Sequence, residues 1–506
     1  MINMETFTYA LWSGPLAYMP ADYQCAVIAF AVVLLGLLWY LRRAKKNLPP
    51  SPLQFPIIGC LPFLDALPHV SFTKWAKKFG KIFSCRLGGN MVIVLNDADL
   101  IREAFSKPVF NGRPHMYTAQ VTSKGMGISF ASDETWPVHR RFAFKTFKTL
   151  GVGKGQFEGQ VAEETERLVK SIASTNGMPF DNKTFLQTAV GNVLCGVLFG
   201  MRYDAENRAT CTFYDNMNAV FQFFGTAGAL NIFPFLRIIP TIRYSFSKVV
   251  DALEGAAQYI AEFIKNQEDC WDSSVIADFT DAFIKARKDE KTRLGRSVLF
   301  TDQQYIGAAR ELFLTGYDTT TSTLRWAFLY IARDQAAQAK IQQELDEVVG
   351  KARYPNYADL ARLPYTQAAL FESQRLSSIG PLGIPHRSVE ETELCGYTIP
   401  KDAWIFTNLW HIHRNEAIWS QPDEFHPDRF LDATGTSLVI PKDFIPFSTG
   451  KRSCPGESIA KMQLFLIFAT VLQQFSLELE GECSLEPHSN GITLDTHDYL
   501  LRATAR

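Results

Sequence analysis

The chain reads as a mainly α protein with a small β region, preceded by one N-terminal transmembrane helix, and three observations predict that class. An uncharged run, "CAVIAFAVVLLGLLWYL", occupies 25–41. Helix-period segments dominate the remainder, and strand-like pieces with turn signals are confined to one early and two late stretches. Of 506 residues, 47% are hydrophobic and 20% charged, which is ample for a large core. Lys and Arg total 51 against 52 Asp and Glu, so the net charge of -1 gives no electrostatic footprint for nucleic acid.

The apolar run justifies the transmembrane element. At about 1.5 Å per residue, 25–41 extended by Tyr23 and Gln24 nearly spans a hydrocarbon core of roughly 30 Å. Arg42, Arg43, Lys45 and Lys46 follow at once, whereas the first 24 residues hold no Lys or Arg. That asymmetry predicts a short lumenal segment at 1–24 and a cytosolic body. A cleaved signal peptide would place its bases ahead of the run and a small-residue cleavage site after it. A buried core helix would not be flanked by four bases and then prolines. Pro49, Pro50, Pro52 and Pro56 make 42–56 a basic, stiff linker.

Within 57–506 the pattern predicts one domain. "IFSCRLGGNMVIVLND" places two β-rich runs around Gly88-Gly89-Asn90, a hairpin signal. Helical periods cover Gln160 to Ala173, Ala256 to Gln267, Asp302 to Arg333, Gln335 to Val349, Tyr365 to Leu376 and Glu457 to Gln474. Strand pieces return in "ELCGYTIPKDAWIF" and "GITLDTHDYLLRATA". There is no internal repeat, low-complexity tract or second linker.

Nine cysteines are scattered and never form C-x-x-C, which argues against zinc and against a disulfide framework. Cys454 has a distinct context: "FIPFSTGKRSCPGESIAK" sets it between Gly450 and Gly456 and ahead of an apolar helical face of Ile459, Met462, Leu466 and Ala469. The spacing predicts a helix N-terminus there, with Pro455 at the first helical position, and hence a thiol lowered toward thiolate. Such a thiolate is a nucleophile, a redox sensor or a metal ligand. A nucleophile wants a base, and sequence does not place His386, His411 or His413 beside it. One thiolate is too few for zinc but enough for haem iron.

At these residues the chain resembles the cytochrome P450 superfamily. Phe447, Gly450, Arg452, Cys454 and Gly456 fill every position of its haem-binding pattern F-x-x-G-x-R-x-C-x-G. The resemblance implies the cytochrome P450 fold, haem b as cofactor and Cys454 as axial metal ligand. "FESQR" supplies Glu372 and Arg375 of the family's E-x-x-R signature, and "FHPDRF" supplies Arg429, together expected as an ion cluster holding the cysteine loop. In "ELFLTGYDTTTSTLRWAF", Gly316, Asp318, Thr319 and Thr320 match a segment where a local helix distortion and a Thr hydroxyl serve proton delivery. Asp318 and Thr319 are thereby the expected catalytic pair. Thr315 departs from the Ala or Gly usual at its position and adds bulk and a hydroxyl. Matching positions for the haem carboxylates are Arg113, Trp136, Arg140, His386 and Arg452, with Arg387 the alternative to His386.

The resemblance runs from the proline linker to the end and is closest to the microsomal branch that includes vertebrate steroid and xenobiotic hydroxylases. It implies an endoplasmic reticulum membrane, electrons from NADPH through cytochrome P450 reductase with cytochrome b5 as a further partner, and a lipophilic substrate entering from the bilayer. Arg140, Arg141, Lys145 and Lys148, with Lys442, Lys451 and Lys461 flanking the cysteine, are candidates for a basic docking face. "VFQFFGTAGALNIFPFLRIIPTIR" is apolar without a clean helical period, and the family places a substrate roof there. Family position puts Ala119, Ile128, Thr315, Leu382 and Ile384 around the pocket. The implied reaction inserts one atom of dioxygen into the substrate, as hydroxylation or epoxidation. Two alternatives are a haem-thiolate isomerase or dehydratase working without reductase, and a non-enzymatic haem carrier or sensor. The first tends to lose the acid–alcohol pair, intact here, and the second needs neither that pair nor a large apolar pocket.

Overall fold

A computed structural model describes residues 47–506 except 133, 153–154, 203–207 and 227, together with 20, 23, 26–27, 29–32 and 34. The expected anchor at 25–41 therefore lies mostly outside the described residues, and among those described no helix is long and apolar enough to cross a membrane.

Ile82–Leu87 (β1) and Asn90–Leu95 (β2) pair antiparallel, closing Leu87 on Asn90 across Gly88-Gly89 as the hairpin signal predicts. Gly88 takes φ +60, which lets a two-residue turn form without a Cβ clash. His386–Arg387 (β3), Thr392–Leu394 (β4), Tyr397–Ile399 (β5) and Trp404–Thr407 (β6) come next. β2 pairs in parallel with β6 and β6 antiparallel with β3, giving the order β1-β2-β6-β3, while β4 and β5 form their own ribbon. Phe475–Glu480 (β7) pairs with Leu500–Ala505 (β10), and His488–Asn490 (β8) with Thr493–Asp495 (β9).

Five helices position the site: Trp136–Thr149 (α1), Asn182–Phe199 (α2), Asp302–Arg333 (α3), Pro364–Ser377 (α4) and Glu457–Gln474 (α5). α3 and α5 have the predicted bounds. Thr301 caps α3 by accepting from the Gln304 N–H at 3.3 Å. α4 begins on Pro364, whose missing N–H costs nothing at a first turn. α2 is not marked by any helical period, and its packing says why: apart from Gly196 every residue of 189–199 is buried, so the exposed polar side at Thr184 and Thr188 does not continue along the helix. α2, α3 and α5 contribute to one large apolar core with β7 and β10. A separate cluster packs β2 and β6 against the helix Ala98–Ser106.

The stretch without a clean period resolves into the end of the helix Arg208–Thr226, a short helix Gly228–Ile232, a 3-10 turn Pro234–Ile238 and the start of the helix Pro240–Asp269. Pro234 and Pro240 break it into pieces too short to show a period. Phe235 and Ile238 are 62% and 76% exposed, so this part of the stretch is surface rather than core.

Candidate active site

Cys454 lies on the loop that enters α5. The loop folds back on itself through a hydrogen bond from the Cys454 N–H to the Phe447 carbonyl at 3.0 Å. Gly450 has φ +78, and a Cβ there would sit 2.5 Å from the Phe105 carbonyl oxygen, so both backbone angle and packing demand glycine. Gly456 caps α5 with φ -93, and a Cβ on it would meet nothing within 4 Å, leaving space beside the loop.

Two expectations need correction. Pro455 is not the first helical residue, since the helix opens at Glu457 and Pro455 lies in the turn before it. The Cys454 thiol is also raised rather than lowered: burial outweighs the Gly456 N–H and Arg140, and Glu457 adds to the rise. The helix terminus alone does not ionise this sulfur.

Cations converge on the loop. Arg452 donates to the carbonyls of Asn111 at 3.0 Å and Ala131 at 2.7 Å, and its guanidinium lies 3.6 Å from the Trp136 ring centroid. Arg140, on α1, reaches the Ser453 carbonyl at 2.6 Å. Arg113 is buried and donates to the carbonyls of Ser129 at 2.8 Å and of Ile384 and Pro385 at 3.0 Å. Burial, with Arg140 adding, pulls the Arg113 guanidinium down to about 9. Among the described residues neither Arg113 nor Arg140 has a carboxylate within salt-bridge distance; their described hydrogen-bond partners are a serine hydroxyl and main-chain carbonyls. Accumulated, half-desolvated positive charge beside a cysteine loop fits a dianionic group such as haem b, so the residues present suit that cofactor.

His386 differs from the arginines. Its Nδ1 is 2.8 Å from the Phe110 carbonyl, its ring stacks on Phe105 at 3.7 Å, and burial holds it well below the ordinary imidazole range. A carbonyl can only accept, so Nδ1 carries the proton and Nε2 a lone pair. Arg387 is engaged elsewhere, donating to Asp402 at 2.5 Å and to the Arg113 carbonyl at 2.9 Å.

α3 carries the other motif. It is one continuous helix through Gly316, whose α-hydrogen side faces Leu194 of α2 so closely that a Cβ would lie 3.1 Å from it. A Cβ there would press on the end of the Leu194 side chain rather than on the α2 backbone. Thr315 donates to the Glu311 carbonyl and Thr319 to the Thr315 carbonyl, each at 2.7 Å. Asp318 points the other way, toward the β8–β9 hairpin, where Asn490 and Thr493 each approach at 2.8 Å. Burial pushes its carboxyl up to about 7, opposed by Thr493 and reinforced by Asp495.

Thr319, Thr320 and Thr323 of α3 line a cavity together with Phe447 of the cysteine loop and Ala460 and Leu464 of α5. The five expected pocket residues do not line it. Ala119 and Leu382 share one apolar cluster, Ile128 belongs to the large core, Thr315 is on α3, and Ile384 offers its carbonyl to Arg113.

Glu372 and Arg375 are fully buried on α4 and joined by two hydrogen bonds, at 2.7 and 2.8 Å. Arg429 reaches Glu372 at 3.1 Å, and the His426 N–H does so at 2.9 Å. Arg375 further donates to the carbonyls of His413 and Pro422, both at 2.7 Å, tying three chain segments together.

Sequence reasoning missed Glu311. Its carboxylate accepts the N–H groups of Ile128 and Ser129, each at 2.7 Å, and Gly127, at φ +91, leaves no room there for a Cβ. The same strap offers its carbonyls to Arg113 and Arg452, so Glu311 connects α3 to the cation cluster. No local pattern reveals a contact made across more than 180 residues.

A cytochrome P450 family model matches residues 49–502. Mouse cytochrome P450 2U1 is 32% identical over 97% of each chain. Rat cytochrome P450 2J3 is 34% identical over 88% of this chain and 89% of its own. Human cytochrome P450 1A1 is 30% identical, covering 94% and 96%.

Proposed function

From the premise that this chain belongs to the cytochrome P450 family and is a haem b monooxygenase, we propose the following roles for its residues, membrane and partners. The sulfur of Cys454 would hold the haem iron, and Phe447, Gly450 and Gly456 shape its loop. Arg113, Trp136, Arg140 and Arg452 hold the haem carboxylates, and the observation that carries this reading is their convergence beside the loop, with Arg113 and Arg140 partnered by main-chain and hydroxyl oxygens. His386 joins them only with a proton on Nε2, which an adjoining carboxylate would favour. Haem b, when bound, supplies the activation of dioxygen. Asp318 and Thr319 hold and pass the protons that the reaction consumes; Thr319 must loosen its bond to the Thr315 carbonyl to donate. Ala119, Ile128, Thr315, Leu382 and Ile384 bound the space for a lipophilic substrate, which is hydroxylated or epoxidised. The cluster of Glu372, Arg375 and Arg429 keeps the loop in register.

The chain is held in the endoplasmic reticulum membrane by 25–41, with its catalytic domain cytosolic. Electrons come from NADPH through cytochrome P450 reductase, with cytochrome b5 a second donor. Exposed Arg141, Lys145 and Lys148 on α1, with Lys451, form the docking face; Lys442 and Lys461 are neutralised by Asp99 and Glu457. Reduced, CO-bound spectra of the wild type and Cys454→Ala test the ligand: a thiolate-type Soret band retained by the variant refutes it. Turnover with reductase that is indifferent to charge reversal at Lys145 and Lys148 refutes the docking face, and protease protection of the body in sealed microsomes refutes the orientation.

A further inference from the structure

Asp318 has a partner arrangement of its own on the β8–β9 hairpin. Asn490 Nδ2 donates to its Oδ1 at 2.8 Å. Thr493 Oγ1 lies 2.8 Å from Asp318 Oδ2 and, equally, 2.8 Å from the Asn490 carbonyl oxygen. A hydroxyl has one proton and cannot donate to both. When Asp318 is neutral, its O–H donates to Thr493 and Thr493 donates to the Asn490 carbonyl, so every group is satisfied. When Asp318 is ionised, Thr493 turns its proton onto the carboxylate. The carboxyl stays in place either way.

We propose that Thr493 is a positioning residue for the proton relay, its hydroxyl holding the Asp318 carboxyl in both charge states so that a proton leaves and returns without rearrangement. This rests on the reading of Asp318 as a proton donor. Thr493 is buried, and the hairpin that carries it is locked in position: Gly491 has φ +65, and a Cβ there would lie 2.6 Å from the Phe221 carbonyl oxygen. The charged and titratable groups near this hairpin come from four elements. Asp495 of β9 is held by Arg325 of α3 at 2.6 Å, Lys183 of α2 lies 3.8 Å from Asp495, and His488 of β8 stands beside His497 with ring centroids 5.2 Å apart. Arg325 and Lys183 offset Asp495, which leaves Thr493 and Asn490 as the direct partners of the Asp318 oxygens. Burial sets the carboxyl near neutrality, at about 7, where losing a donor changes its charge state.

The test is a pH titration of the carboxylic-acid infrared band of the haem-loaded full chain, isolated by subtracting Asp318→Asn. The wild type is expected to titrate near neutrality. In Thr493→Val and Thr493→Ala the midpoint rises by about 1 pH unit, because the bond lost from the ionised form is stronger than the one lost from the neutral form, and Thr493→Ser restores it. Using two truncations separates lost bonding from a packing fault. A midpoint unchanged in both overturns the proposal. Peroxide released per NADPH oxidised is measured alongside: no change in Asp318→Asn overturns the relay reading itself, whatever the midpoints do.

Discussion

Glu372→Gln perturbs the α4 cluster with almost no change of shape. The carboxylate accepts from Arg375 twice, from Arg429 and from the His426 N–H, and neither Glu372 nor Arg375 has any solvent exposure. An amide keeps one acceptor and turns an N–H toward the Arg375 guanidinium, so one donor faces another and a cation is left buried without its counter-charge. Removing one partner of such a pair costs about 3–5 kcal/mol, a large share of the roughly 5–15 kcal/mol that holds a domain together. Arg375 also secures the carbonyls of His413 and Pro422, so the loss spreads to those segments. Urea unfolding of the full chain, followed by tryptophan fluorescence, should show the wild-type midpoint falling sharply in the variant. Haem content from the CO-bound reduced spectrum should fall with it. A loss under about 1 kcal/mol, the value of a solvent-screened pair, would refute the argument that this cluster is desolvated.

Asp318 makes stability depend on pH with a defined sign. Its folded carboxyl titrates at about 7 against a reference of 3.8, so between those values the folded state keeps a proton that the unfolded state has released, and stability falls as pH rises. The full span amounts to about 4 kcal/mol, and Asp318→Asn should flatten it in unfolding curves taken across that window. Gly450→Ala should lower the thermal midpoint and speed haem loss to a scavenger, since φ +78 and a 2.5 Å approach to the Phe105 carbonyl resist a Cβ; strain of about 1–3 kcal/mol is expected. Gly316→Ala should change stability by less than about 1 kcal/mol, because the helix gain offsets a contact at 3.1 Å with the movable end of Leu194. A strong loss there would show that α2 and α3 cannot yield.

Local signals carried much of this protein. α3 and α5 are bounded as their periodicity predicts, and the Gly88-Gly89 turn closes the first hairpin, because caps, turn geometry and a sided apolar pattern act over a few residues. The turn at Cys454 and the bonded pair of Glu372 with Arg375 each lie within one short stretch, whereas Asp318 and Thr319 are neighbours in sequence whose side chains bond to different partners. α2 left no such mark, since near-complete burial over 189–199 erases the contrast a period needs.

The chain order of residues thus determined which side chains stand together within a turn or a loop and which family chemistry they match. Tertiary structure alone decided their environments. Burial raises Cys454 against the pull of its helix, Glu311 reaches the strap that bears on Arg113, and Asn490 and Thr493 meet Asp318 from 172 and 175 residues away. Desolvation and long-range hydrogen bonding depend on what the fold packs around a group, and no local run of sequence contains that information.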